Sequence, residues 1–90
     1  MTALLDLIPR TKFVGENDIF DQLRHVRSEA DEAMDAYIGN EDAVRIAEEL
    51  VDTLISSSTG LRIMAEKYGV DIAAVFDYVV DKDRARGYFL

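Results

Sequence analysis

The chain has 90 residues, 18 of them acidic and 10 basic, for a formal charge of −8, with 49% apolar residues and no cysteine. That charge argues against a protein that coats nucleic acid, which needs clustered Lys and Arg. The apolar content excludes a disordered chain, and the missing cysteines exclude disulfides and thiolate metal sites.

A chain of this size makes one domain, residues 1–90, near the lower limit of independent folding, so oligomerisation would add core that it lacks. No stretch approaches the roughly eighteen uncharged apolar residues of a membrane span. The run Ala3 to Ile8, interrupted by Asp6, is too short for a secretion signal. The cytoplasm is the expected compartment, with no membrane and no nucleic acid among its partners.

In chain order, residues 2–8 read as a short helix stopped by Pro9. Arg10 to Asn17 reads as a loop, with Asn17 as the cap of a second helix from about Asp18 to Ile38. Phe20, Leu23, Val26, Ala30, Ala33, Met34 and Tyr37 follow the 3.6-residue period along it and are its expected apolar stripe. Gly39 and Asn40 break the pattern, Asn40 capping a third helix from Glu41 to about Tyr68, with a bend expected near Ser56 to Gly60. One of its faces holds Ala43, Ala47, Leu50, Val51, Leu54, Ser58 and Leu61. The other holds Arg45, Glu49, Asp52, Ser56 and Thr59, acidic at one end and small along the rest. Gly69 ends this helix and Asp71 caps a fourth, running to about Arg84. With no competing strand pattern, the expected fold is all-α: a bundle of antiparallel helices completed by oligomerisation.

The chemistry lies in two carboxylate pairs, Glu29 with Glu32 and Glu49 with Asp52, one on each long helix. With 18 acids in 90 positions such pairs arise by chance, so a single pair reads as a solvated face. The arrangement is what carries information. A three-residue step puts both members on one helix face, and antiparallel packing brings four carboxylates together. Like charges that close repel by about 1 kcal/mol per pair in water and several times more when partly desolvated. A cluster of this kind persists around a cation, and oxygen-only ligation selects Mg²⁺ or Mn²⁺. Competing metal readings fail on residues: a di-iron bundle needs two Glu-x-x-His motifs, whereas the single histidine, His25, follows Gln22.

The string Glu29-Ala-Asp-Glu32 followed by Glu48-Glu49-Leu-Val-Asp52 resembles the metal motif of the MazG-like nucleotide pyrophosphohydrolases. The resemblance runs over about residues 20–88, through Gly69-Val70-Asp71 to Lys82, Arg86 and Tyr88. It implies Mg²⁺ held by Glu29, Glu32, Glu49 and Asp52, and cleavage of a nucleoside triphosphate between its α- and β-phosphates. It also implies Glu29 or Glu32 as the general base that orients the attacking water, and Lys82 near a phosphate, in a homodimer or homotetramer. The family commonly places a glutamate directly before the first ligand, where this chain has Ser28.

Several residues carry two readings each. His25 and Arg86 are substrate-contacting candidates, or a half-exposed helix histidine and a cation favoured at a helix C-terminus. Arg45 orients phosphate or pairs with Glu41 or Glu49. Phe13, Phe20 and Tyr37 are the aromatics available to stack a base, at spacings that also suit a core. Two other functions share the pattern: a phosphoribosyl-ATP pyrophosphohydrolase, and a non-catalytic acidic helical module with a vestigial metal site.

Overall fold

The computed structural model describes residues 2–90, with side chains from residue 5 onward. Five helices follow one another: α1 (Thr2–Leu7), α2 (Phe13–Glu16), α3 (Ile19–Ile38), α4 (Ala43–Tyr68) and α5 (Ile72–Ala85). No strand occurs among the described residues, so the fold is all-α as the periodicity implies. None of the described helices is long and apolar enough to cross a membrane.

The long helices α3 and α4 form an antiparallel hairpin. Gln22 near the start of α3 meets Ser56, while Glu29 and Glu32 further along meet Glu49 nearer the start of α4. The starts of α3, α4 and α5 are each fixed by an aspartate: the side chains of Asp18, Asp42 and Asp71 accept from the backbone N–H three residues on. Asn17 and Asn40 are therefore not the caps expected of them. Asn17 donates from Nδ2 to Gln22 Oε1 at 2.9 Å. Asn40 takes the left-handed backbone conformation (φ 58°) that turns the chain between the helices, a position where a short amide side chain is tolerated. Gly69 takes φ 70° at the end of α4, and the Val70 N–H reaches back to Met64 O, the closure expected of a glycine after a helix. α4 is one continuous helix through Ser56 to Gly60.

The face on which α3 packs differs from the expected one. Buried on α3 are Gln22, which meets the small polar stripe of α4 where Ser56, Thr59 and Gly60 are also buried, and Ala36, near Arg45 and Glu49 at the other end of the hairpin. The apolar stripe lies on the outside: Phe20 is 65% exposed and Tyr37 69%, with Leu23 and Met34 similarly open. On α4, Val44, Leu50, Val51 and Leu54 are exposed as well. Small side chains permit close approach of the two backbones, and a hydrogen-bonded amide makes a polar seam tolerable. Gln22 Nε2 donates to Ser56 O at 2.9 Å and to Ser56 Oγ at 3.1 Å.

The N-terminal segment, read as plain loop beyond Pro9, contains the single turn α2 and is fastened to the second half of α4. Arg62 Nη2 donates to the carbonyls of Leu5 and Ile8 at the end of α1. Arg10 forms a two-pronged pair with Glu66, and Lys67 Nζ donates to Asn17 O. Val14 and Ile63 are fully buried there, with Ile8 close to it. α5 touches α4 sparsely, and Val75, Phe76 and Val79 remain partly open.

Replacing Gln22 by Ala should lower the unfolding free energy by about 1–3 kcal/mol, since it orphans buried polar groups. Gly60→Ala should raise it by up to about 1 kcal/mol: a Cβ there meets only Gln22 Cγ at 3.7 Å, an ordinary contact, while the helix gains propensity. Urea denaturation of the two variants checks both signs.

Candidate metal centre

Packing through the polar faces carries the glutamates inward. Glu29 lies seven residues after Gln22 and so shares its face, and Glu49 lies seven before Ser56 on the opposing helix. One carboxylate oxygen from each of Glu29, Glu32 and Glu49 falls within 4.8 Å of the others. Glu49 is buried at 4% exposure, Glu29 half-buried and Glu32 exposed. Asp52 is exposed and stands beside this trio rather than in it, close enough for its charge to act on Glu49. Ser28 is also exposed.

Glu29 and Glu49 have different partners. His25 Nε2 lies 3.1 Å from Glu29 Oε1, one turn away on α3. Arg45 Nη2 lies 2.6 Å from Glu49 Oε1, and the same guanidinium reaches Glu48 at 3.4 Å and Glu41 at 4.0 Å. Glu49 Oε2 is buried with no hydrogen-bond partner. Burial pushes the Glu49 carboxyl above the usual carboxylate range; Arg45 opposes this, and the nearby charges of Glu32 and Asp52 add to it. The Arg45 guanidinium is held above its ordinary value chiefly by Glu49.

Two cavities flank the trio. The larger, about 490 Å³ and open to solvent, is lined by Glu32 and Glu49 with Asp35, Glu41 and Arg45. The smaller, about 100 Å³, is lined by Glu29 and Asp52 with Thr11, Phe13, His25, Ile55 and Thr59, among others. In it the Phe13 ring lies 5.7 Å from the His25 ring, tilted by 41°, and the Thr11 and Thr59 hydroxyls share a hydrogen bond of 2.8 Å. Phe13 is thus half-buried on a cavity wall, while Phe20 and Tyr37 lie on outer surfaces. Lys82 and Arg86 line neither cavity. Lys82 Nζ sits 5.9 Å over the Tyr78 ring, and Arg86 sits over Tyr88 and 3.6 Å from Asp83. Within one chain these two cations are not brought to the acids.

Three carboxylates from two helices, one of them with a buried and unpaired oxygen, can hold a hard divalent cation. Two features of the site escaped the spacing argument. Gln22 was passed over, although its seven-residue step to Glu29 marks it as a member of the same face. Thr11 and Phe13 come from a turn too short to leave a periodic trace.

No curated protein and no solved structure matches the chain. The model of the MazG nucleotide pyrophosphohydrolase domain matches residues 21–87, which span α3, the acid trio, α4 and α5. The chain therefore belongs to the MazG nucleotide pyrophosphohydrolase domain family.

Proposed function

We propose that the chain is a Mg²⁺-dependent nucleoside triphosphate pyrophosphohydrolase, with Mn²⁺ as the alternative ion, releasing a nucleoside monophosphate and pyrophosphate. The observation that carries this reading is Glu49 Oε2: a buried, unpartnered carboxylate oxygen beside two further carboxylates costs free energy that a cation recovers. Glu29, Glu32 and Glu49 would hold the ion, with Asp52 beside them on α4 as the further carboxylate. An ion bound there would supply neutralisation of phosphate charge and Lewis-acid polarisation of the phosphoryl group.

The chain's own groups divide the remaining work. His25 fixes the rotamer of Glu29 through its 3.1 Å contact. Glu29 or Glu32 accepts the proton of the attacking water, since both carboxylates stand at the trio's accessible side. Phe13, with Thr11 and Thr59 beside it on one wall of the smaller cavity, offers an uncharged surface for the nucleoside end of the substrate. The exposed apolar faces of α3 and α4 support a homodimer or homotetramer, in which Lys82 and Arg86 of one copy reach the acids of another. Burying such faces at about 25 cal/mol per Å² favours association.

The raised Glu49 value fixes a sign. The fold gains from protonating Glu49, so this contribution is complete below the ordinary 4.5 and is lost as pH rises through the raised value. Metal binding needs the deprotonated form and gains over the same window. The Tm of the metal-free protein should therefore fall as pH rises through it, while the increment from Mg²⁺ or Mn²⁺ grows. Glu49→Gln should flatten both trends, as read by differential scanning fluorimetry.

Incubation with Mg²⁺ and a panel of nucleoside triphosphates should release pyrophosphate and no orthophosphate. Whichever of Glu29→Gln and Glu32→Gln removes the general base should slow it by roughly 10²–10⁴-fold, the usual worth of that group. No product with any nucleotide, together with no thermal shift from either ion, would leave only an acidic helical module. Association is checked by light scattering: Leu23→Asp and Leu50→Asp should lower the molar mass toward that of one chain.

A further inference from the structure

The two cavities beside the trio differ in charge. The smaller one carries two carboxylates, Glu29 and Asp52, with His25 and the uncharged side chains of Thr11, Phe13, Ile55 and Thr59. Around the larger one stand four carboxylates, Glu32, Asp35, Glu41 and Glu49, and one cation, Arg45. A triphosphate lying across the acids has a neutral end and a polyanionic end, and carboxylates repel the latter unless a cation stands among them. Arg45 is the group on the larger cavity's wall that an anion can approach directly. Its side chain is 48% exposed, so the approach is open.

Its present partners also bear on the case. Nη2 is held by Glu49 Oε1 at 2.6 Å, whereas Glu48 and Glu41 hold the guanidinium more loosely, at 3.4 and 4.0 Å. Glu49 already carries an unpartnered Oε2 in the buried part of the trio. A carboxylate that takes a divalent ion gives up much of its attraction for a neighbouring guanidinium. The Nη2 N–H then needs another acceptor, and its planar fork matches two oxygens of a phosphate.

We propose that Arg45 is a substrate-binding residue that exchanges Glu49 for the terminal phosphates. The substrate then lies with its nucleoside end toward Phe13 and its leaving pyrophosphate in the larger cavity. The inference rests on the triphosphate reading above and assigns a direction along the site. It also gives the departing pyrophosphate a cationic contact that the acids around it do not supply.

Titration calorimetry of the full chain with Mn²⁺ alone, and with pyrophosphate in the presence of Mn²⁺, tests it apart from turnover. Arg45→Ala should weaken pyrophosphate binding roughly 10–100-fold, the worth of a charge-assisted hydrogen bond, and leave Mn²⁺ binding no weaker. Arg45→Lys should recover part of the loss, and binding of a nucleoside monophosphate should be unaffected by either change. Equal pyrophosphate affinity in wild type and Arg45→Ala overturns the proposal, as does absence of pyrophosphate binding in both. A matching loss of Mn²⁺ affinity also overturns it, since Arg45 would then act only through Glu49. If no triphosphate is cleaved yet pyrophosphate binding still depends on Arg45, the hydrolase reading fails and the anion site stands.

Discussion

The amide of Gln22 joins the two long helices by donating to both the carbonyl and the hydroxyl of Ser56 while accepting from Asn17. Three hydrogen bonds satisfy a side chain that is otherwise sealed from water, which lets α3 and α4 meet through hydrophilic faces. Had α3 turned its Phe20, Leu23 and Met34 toward α4, more apolar area would be buried within one chain. Glu29 would then lie on the outside, away from Glu49. The polar seam gives up some hydrophobic burial and places acids opposite acids.

The partners of those acids are unevenly distributed. His25 attends Glu29 and Arg45 attends one oxygen of Glu49, while the second oxygen of Glu49 has nothing. The raised Glu49 value expresses the same imbalance: desolvation outweighs the attraction of Arg45. Binding sites often hold groups in states that are unfavourable without their ligand, because the ligand then contributes to stability as well as to chemistry.

Much of this was legible in the chain, and the gaps have physical causes. The helices and the turn at Gly69 follow from 3.6-residue recurrence and local capping chemistry, which act within a few residues. The convergence of Glu29, Glu32 and Glu49 was legible because residues spaced by three on successive helices leave few packings that separate them, whereas Asp52 stands beside the trio. The inward face of α3 was misread. Amphipathicity says that Phe20, Leu23, Met34 and Tyr37 prefer to leave water, yet it does not say which surface covers them. Caps slipped by one or two positions, from Asn17 to Asp18 and from Asn40 to Asp42, since adjacent Asn and Asp residues compete for the same role. α2 went unseen because four residues including a glycine give no period to detect.

Nearly every group discussed sits on α4 or is held by it. Arg45, Glu49, Asp52, Ser56, Thr59, Arg62 and Glu66 succeed one another along a single uninterrupted helix of 26 residues. At 1.5 Å of rise and about 100° of rotation per residue, that helix works as a ruler for the whole protein. A residue inserted between Glu49 and Ser56 would rotate the Gln22 socket and the N-terminal clamp by about 100° relative to the acids. Substitutions along this stretch are individually survivable, but its length is not free to drift; the turn at residues 39–42 is where extra chain can be absorbed.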